Sequence, residues 1–458
     1  MNDLTQGSIT RHLIRLAIPL AAGMLFQTLY YLVDLYFVAR LGDASIAGVS
    51  AAGNVQFIVM ALTQILGVGT MALIAHAIGR KDRPDANLIF NQSLVLAALA
   101  AVATLIGGYA LSGSYMSRLG ANSATAVAGT TYLWWVLPGL ALQFALVVMG
   151  SALRGTGIVK PMMIVQILTV ILNAILAPIL IAGWLTHRPL GVAGAGLATS
   201  IAVAAGVVML WYYFGQLEKY VGFDSTMLRP RLKVWGRILA IGLPPGGEFG
   251  LMFVYMALIY WIIRGFGAEA QAGYGVGSRV MQAIFLPAMA VAFAVAPLAG
   301  QNYGARRLDR VWEAFRSAAV ITTAIMLTLT LICQWRPEWF IRAFTSEPGV
   351  VAVGAQFLRY ISWNFMAVGL VFTCSGMFQA LGNTVPALLS AASRLVTFAI
   401  PAIWMASRPG FQLSQLWLLS VATVALQAVV SLGLVRLESR RAAVRRGEAA
   451  PAPVVQEA

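Results

Sequence analysis

The sequence predicts an all-α polytopic membrane protein with about twelve transmembrane helices in two six-helix lobes. Of its 458 residues, 60% are hydrophobic and only 10% are charged. Apolar runs of about 20–30 residues recur along the chain, and they do not alternate as the strands of a membrane barrel would. Lipid offers no hydrogen bonds to the backbone, so only helices and closed barrels span it. Long, non-alternating runs therefore indicate helices.

The apolar runs give the bounds of the predicted spans. They cover residues 13–39, 46–78, 88–117, 126–153, 161–185, 190–215, 236–264, 270–304, 315–344, 349–380, 386–407 and 411–437. Alternate connections hold twenty-one basic residues on one side and seven on the other. Because basic residues accumulate on the cytoplasmic side, both termini are expected in the cytoplasm. The net charge of +15 then reflects topology and requires no nucleic-acid partner.

The two halves of the chain repeat with a constant offset. Pro19 and Pro244 open the first and seventh spans, and 244 − 19 = 225. The same offset relates four further pairs: Gly42 and Gly267, Gly48 and Gly273, Gly79 and Gly304, and Pro161 and Pro386. Six spans per half give both halves the same orientation, which defines a parallel repeat. We predict an N-terminal segment 1–12, an N-lobe 13–215, a cytoplasmic linker 216–235, a C-lobe 236–437 and a disordered basic tail 438–458.

Asp34 is the only ionisable residue in the inner two-thirds of the first span. A carboxylate there costs about 2.5–3.5 kcal/mol on insertion scales, so it is a functional candidate by default. On a helix, its face is shared by Gln27, Tyr30, Tyr31 and Phe37. We expect this face to line a substrate cavity. Since low dielectric disfavours the charged carboxylate, Asp34 is a candidate for proton exchange.

Other polar residues also lie inside apolar spans. Asn173 precedes Pro178, which frees a backbone carbonyl nearby. Thr199 can reach Asp34 or Asn173 if the six helices form one bundle. Of sixteen acids, only Glu248 joins Asp34 inside a span; the other fourteen lie in connections, span ends or tails. Arg394 stands inside the eleventh span and needs a partner or a wet cavity. Asn173 and Glu248 also have a purely structural interpretation. Asn173 could form a hydrogen bond between helices, and the Glu248 side chain could extend to the membrane interface.

Motifs of soluble enzymes are absent from the sequence. It has no His-Glu-x-x-His, no Gly-x-Ser-x-Gly and no phosphate-binding Gly-x-x-x-x-Gly-Lys. No connection is long enough for a nucleotide domain, so we expect no use of ATP. We likewise expect no cofactor and no certain metal site. Energy then comes from a gradient of H⁺ or Na⁺ or from a partner protein.

Six motifs follow one another along residues 8–437. They are the Pro19–Gly42 span with Asp34, the Gly67-Val68-Gly69-Thr70 to Gly79 segment, Leu153-Arg154-Gly155-Thr156-Gly157 with Pro161, Gly191 to Thr199, Gly242-Leu243-Pro244, and Ala299 to Ala305. In this order, and with the half-chain repeat, the chain resembles the multidrug and toxic compound extrusion (MATE) family. The resemblance implies two lobes in a V shape that rock to alternate access. It also implies export of organic cationic or amphipathic compounds in exchange for H⁺ or Na⁺.

The resemblance also implies which residues form the coupling site. An acid of helix one, an Asn of helix five and a Thr of helix six form a cation- or proton-linked site in this family, and they map onto Asp34, Asn173 and Thr199. A second acid often follows that Asn by four residues, where this chain has Ala177. One carboxylate in place of two weakens a Na⁺ site, which favours H⁺. Glu248 is then the remaining carboxylate for coupling in the second lobe.

Two alternatives remain open at this point. A flippase for lipid-linked precursors on a related scaffold would favour extra helices and a cationic cavity, and Arg394 keeps it open. A polytopic membrane enzyme would need paired catalytic groups at one depth, whereas Asp34 and Glu248 lie near opposite ends of their spans. The expected partners are the lipid bilayer and small organic cations or amphipathic drugs, and no oligomeric partner is required. The expected location is the cell inner membrane.

Overall fold

A computed structural model describes residues 2–120, 122–184, 187–218 and 220–445; the side chains of residues 30–35, 39 and 445 lie outside this description. The described chain folds into helices and contains no β-strand. The helices are α1 Ile9–Ala39, α2 Asp43–Gly79, α3 Arg83–Leu119, α4 Ser123–Gly155, α5 Lys160–Ile181, α6 Val192–Gln216, α7 Leu232–Ile263, α8 Ala268–Gly304, α9 Leu308–Trp335, α10 Pro337–Arg342, α11 Pro348–Ile361, α12 Phe365–Leu381, α13 Val385–Ala406 and α14 Leu413–Arg445.

Twelve segments of the described chain are long and apolar enough to cross a membrane. The predicted fold class and number of spans are therefore confirmed. α11 and α12 together form one span, interrupted by a short 3₁₀ turn at Ser362–Asn364. The predicted ninth span, 315–344, lies earlier in the structure, because α9 runs from Leu308 to Trp335. Pro337 starts the six-residue helix α10, and the residue before a proline disfavours helical geometry.

The repeat is visible in the backbone. α2 and α8 each have 37 residues, and they begin 268 − 43 = 225 residues apart. The glycines ahead of them, Gly42 and Gly267, have φ angles of 97° and 90°, which favour glycine. After these helices, Lys81 and Arg306 both have a φ of 60°. The two halves therefore start and end this helix in the same way.

Contacts divide the chain into two compact units. Unit 1 comprises Met1–Asp3 and Ala22–Gly242, and unit 2 comprises Leu4–Ala21 and Leu243–Ala458. These bounds differ from those of the predicted lobes at α1 and α7. The first part of α1 belongs to unit 2, and the first part of α7 belongs to unit 1.

The start of α7 belongs to unit 1 because two glycines let it cross α2 at close range. A Cβ at Gly69 of α2 would collide with the carbonyl of Ile238, and a Cβ at Gly242 of α7 would collide with the carbonyl of Ile65. Small residues that let helix backbones approach are a main device of packing in membranes. Gly250, two turns later on α7, has open space beside it.

The linker ahead of α7 is folded against α3. The buried Gln92 amide donates to the carbonyls of Met227 and Arg229 over 2.6 and 2.8 Å, and it accepts from the Arg231 N–H over 2.8 Å. Asn91 holds the preceding turn of the linker through its own side-chain hydrogen bonds. These contacts explain why the linker and the start of α7 form part of unit 1.

The N-terminal segment is held by the end of α8 in unit 2. The Leu4 N–H donates to the Gln301 amide over 3.1 Å, and the Leu4 carbonyl accepts from Asn302 over 3.1 Å. Arg310 donates to the Gly7 carbonyl over 2.8 Å. The Gln301-Asn302 motif therefore anchors the segment that leads into α1.

Each unit has a hydrophobic core of its own. In unit 1, the rings of Phe90 and Phe214 stack with centroids 4.7 Å apart. In unit 2, Trp417 stacks on Tyr274 at 5.7 Å and meets Phe357 edge-on at 4.8 Å. Because lipid is as apolar as these side chains, dispersion between close-packed atoms contributes to holding the helices together.

α14 continues further than the sequence predicts. Residues 438–445, assigned to a disordered tail, are helical. Ala442 and Ala443 are buried, and Glu438 pairs with Arg441 one turn later at 3.6 Å. Burial of one helix face therefore outweighs the basic composition that indicated disorder. The remainder of the predicted tail, 446–458, lies outside the described residues.

We expect Gly242→Ala to lower the thermal midpoint of the purified protein, because the added methyl group pushes α7 away from the Ile65 carbonyl. Overpacking of this kind costs about 1–3 kcal/mol. Gly250→Ala on the same helix is the matched control, since nothing lies within 4 Å of its Cβ position. Its midpoint should stay equal or rise, because Ala favours helix over Gly by about 1 kcal/mol. Equal midpoints for the two variants would contradict the close crossing.

Candidate functional site

Unit 1 brings α1, α5 and α6 together. A Cβ at Gly23 of α1 would collide with the side-chain amide of Gln166 on α5. A Cβ at Gly206 of α6 would lie 3.0 Å from the methyl group of Thr169, also on α5. α5 therefore contacts both of the other helices that carry predicted coupling residues, and it carries Asn173 itself.

Asn173 and Thr199 are both buried inside unit 1. Asn173 is 0% exposed and Thr199 is 6% exposed. The Thr199 hydroxyl donates to the carbonyl of Ala195, one turn earlier on α6, over 3.2 Å. Two of the three residues predicted for the coupling site thus lie in the interior, on helices that pack against each other.

The third residue falls on a stretch whose side chains are not described. The structure gives α1 as a helix through Asp34, Tyr30 and Tyr31, but these side chains lie outside the described residues. Of the other two residues predicted for the same face, Gln27 is exposed and Phe37 is half-buried against the core of unit 1.

The helix backbone nevertheless sets the depth of Asp34. α1 and α5 are both odd-numbered spans and run in the same direction. The Cβ position of Gly23 lies 4.0 Å from the Cα of Met163, the nearest backbone atom of α5. From this contact, Asp34 is 34 − 23 = 11 residues further on α1, and Ala174 is 174 − 163 = 11 residues further on α5. At 1.5 Å per residue, both positions lie about 16 Å beyond the contact. The Asp34 backbone is therefore level with Ala174, the neighbour of Asn173, and Ala177 lies about one turn further on α5.

Ser200, next to Thr199, joins α6 to α4. Pro138 inside α4 lacks an N–H and cannot complete the helical hydrogen bonds. The Ser200 hydroxyl donates to the Trp135 carbonyl over 2.6 Å and accepts from the Gly139 N–H over 3.0 Å. A side chain inserted in this way serves backbone groups near the proline. It also fixes the position of α6, and of Thr199 with it. The proline in the facing helix is the only hint of this role in the sequence.

In unit 2, Arg394 of α13 lies against an aromatic wall. Its guanidinium carbon is 4.4 Å from the ring centroid of Tyr255 on α7. The Tyr255 hydroxyl is hydrogen-bonded to Ser420 at 3.0 Å, and its ring packs on Phe398 at 4.7 Å. The sequence pattern alone does not single out Tyr255. The one sequence feature that could have pointed to Tyr255 is its spacing of seven residues from Glu248, which puts both side chains on one face of α7.

Arg394 and Glu248 each keep a buried polar atom without a hydrogen-bond partner, Nε and Oε1 respectively. Among the described side chains, the ion pairs include neither residue. An arginine at the centre of a span costs about 2.5–3.5 kcal/mol on insertion scales, and a cation–π contact contributes about 0.5–2 kcal/mol. Tyr255 therefore offsets only part of the cost of this charge.

Metal-ligating side chains do not cluster in the part of the chain that the structure describes. No group of three or more His, Cys, Asp or Glu residues there could hold a metal ion. Cys333 and Cys374 are buried and carry free thiols.

Twelve candidate spans in two repeats, with isolated polar and charged side chains deep in the helices, define a membrane transporter of the internal-repeat class. The MatE family model matches residues 19–179 and 244–405, and the chain belongs to this family of multidrug efflux transporters. The two matched segments begin 244 − 19 = 225 residues apart, as the repeat requires. The family consists of transporters, so the alternative of a membrane enzyme is wrong.

Curated relatives and solved structures agree with this assignment. The chain is 26% identical to YpnP of Bacillus subtilis over 422 residues, 91% of each chain. It is 26% identical to NorM of Thermotoga maritima over 404 residues, 88% of this chain and 84% of the relative. Both relatives carry the designation "probable multidrug resistance protein". A MOP superfamily transporter from Pyrococcus furiosus has a TM-score of 0.90 at 25% identity, with 97% of this chain and 98% of that chain covered.

We expect Ser200→Ala to lower the thermal midpoint, because the Gly139 N–H and the Trp135 carbonyl lose their shared hydroxyl inside the membrane. Hydrogen bonds between membrane helices are worth about 0.6–2 kcal/mol. Ser117→Ala is the control, since that exposed hydroxyl bonds only within its own helix. Circular dichroism during heating measures both variants. A Ser200→Ala midpoint as high as that of the control would contradict the bridging role.

Proposed function

We propose that this chain is a proton-coupled antiporter that exports small organic cations or amphipathic compounds by alternating access. The observation that carries the proposal is the single carboxylate of Asp34, whose backbone is at the level of Asn173, with Ala177 one turn further on α5 where a second acid would stand. A second acid at position 177 would add the charge that favours a bound Na⁺. One carboxylate in a low-dielectric interior suits a proton, since burial disfavours the charged form.

Coupling follows from competition for one charge. A cationic substrate is attracted to the ionised carboxylate of Asp34, and protonation removes that attraction. Each ligand therefore stabilises a different state, and a ligand shifts an equilibrium only through such differential affinity. Asn173 and Thr199 would supply amide and hydroxyl contacts to the same group. Glu248 would serve as a second acid in the C-terminal half.

The orientation follows from charge. Twenty-one basic residues flank one set of connections and seven flank the other, which supports cytoplasmic termini and the inner membrane as the location. Protons that enter down their gradient would then drive export. The designation of MepA of Staphylococcus aureus as a multidrug export protein, at 25% identity over 392 residues, supports organic compounds as substrates rather than a lipid-linked precursor.

Transport of a fluorescent organic cation into inverted membrane vesicles tests the proposal. We impose ΔpH or ΔNa⁺ separately, and we expect ΔpH alone to drive accumulation by the wild type. Asp34→Asn should abolish it, because the amide cannot exchange a proton. Asp43→Asn is the matched control, since that exposed acid lies in the first turn of α2.

Two results would contradict the proposal. Transport driven by ΔNa⁺ alone would show that one carboxylate suffices for Na⁺ and would overturn the argument from Ala177. ΔpH-driven transport that persists in Asp34→Asn would make Asp34 structural and leave Glu248 as the coupling acid. Western blotting and size-exclusion profiles establish that each variant is inserted and folded.

A further inference from the structure

Arg394 is a charge without a counter-charge. It lies in the middle of α13, inside a candidate span, and it is half-buried. Its Nε is buried without a hydrogen-bond partner, and no described Asp or Glu oxygen lies within 4 Å of its guanidinium. Intramembrane cations normally pair or face a water-filled cavity. Nε itself is enclosed, but the terminal nitrogens of Arg394 are not among the buried atoms and have no hydrogen-bond partner among the described residues, so a bound anion can use them.

The wall beside Arg394 is aromatic. Tyr255 holds the guanidinium at 4.4 Å from its ring centroid, and its own hydroxyl is fixed by Ser420 at 3.0 Å. Phe398 backs the Tyr255 ring at 4.7 Å. The guanidinium thus lies against an aromatic ring, and its terminal nitrogens are available to a planar acid. This contact with Tyr255 distinguishes Arg394 from an arginine whose side chain only extends to solvent.

Glu248 lies on the same wall. It precedes Tyr255 by 255 − 248 = 7 residues on α7, so the two share a helix face about 10 Å apart along the axis. Its Oε1 is also buried without a hydrogen-bond partner. Two opposite charges that served only to neutralise each other would touch. Arg394 and Glu248 instead flank an aromatic surface.

We propose that unit 2 binds a zwitterionic amphiphile, with its acidic group on Arg394, its apolar body on Tyr255 and its cationic end towards Glu248. A carboxylate or a phosphate oxygen pair matches the guanidinium fork and makes charge-assisted hydrogen bonds. The inference rests on the proposed export of small organic compounds, and it adds an acid requirement that cationic substrates do not meet. A soluble compound and a lipid headgroup share this chemistry.

A matched pair of dyes separates the acid from the rest of the molecule. An amino-rhodamine with a free carboxylic acid and the methyl ester of the same dye differ only at the acid. We measure their binding by fluorescence polarisation to the full-length protein in phosphatidylcholine nanodiscs. The wild type should bind the acid more tightly than the ester, by about tenfold, because a hydrogen bond to a charged group is gained.

Variants assign that preference to the guanidinium. Arg394→Gln should weaken binding of the acid about tenfold and change binding of the ester less than about twofold. Arg394→Lys should retain part of the preference, since it keeps the charge but loses the fork. Arg279→Gln is the matched control, because it removes an exposed arginine from α8 of the same unit and should leave both affinities unchanged. The comparison of the two dyes on the wild type needs no variant. The proposal therefore stays testable even if Arg394→Gln does not fold.

Lipid composition identifies the source of the acid. If phosphatidylglycerol in the nanodisc weakens binding of the acid dye to the wild type but not to Arg394→Gln, a headgroup occupies the site. If it has no effect, a soluble acid does. Equal wild-type affinity for acid and ester, or equal losses of both dyes in Arg394→Gln, would overturn the proposal. Gradient-driven efflux of the ester dye, measured in parallel, reports the proposed transport separately, so that efflux with no preference for the acid overturns this inference alone.

Discussion

Lipid gives the backbone no hydrogen-bond partner, and most features of this chain follow from that constraint. The chain crosses the membrane only as helices, and where a helix is interrupted another side chain must serve the exposed groups. Ser200 does so beside Pro138 of α4 through hydrogen bonds of 2.6 and 3.0 Å. Between helices in lipid there is no hydrophobic driving force, so association depends on close packing. Glycine permits that packing, as Gly69 and Gly242 do at the crossing of α2 and α7.

The same constraint makes each intramembrane charge informative. Glu248 and Arg394 carry an insertion cost, and the described contacts leave each of them a buried polar atom without a partner. In contrast, the ion pairs with the shortest distances lie at helix ends, such as Arg80 with Asp85 at 2.7 Å. Charges at the ends contribute to topology and local stability. In our proposal, the charges within the spans bind what the transporter moves.

The sequence predicts the number of spans, the offset of the repeat and the burial of Asn173 and Thr199, because hydropathy and Gly/Pro spacing depend on local chemistry. It does not predict that the first part of α1 packs in unit 2 and the first part of α7 in unit 1. That exchange depends on side-chain amides such as Gln92 and Gln301, which capture backbone from segments more than 130 residues away. The sequence does not predict the role of Tyr255 for a similar reason. Its contact with Arg394 joins two helices that only the tertiary fold brings together.

The most direct test of the coupling claim is to count the protons that the purified protein releases when a saturating organic cation is added in weakly buffered detergent solution. If Asp34 exchanges its proton for substrate, the wild type releases about one proton per molecule near neutral pH and Asp34→Asn releases none. Substrate binding without proton release by the wild type, or equal release by both proteins, would contradict the account.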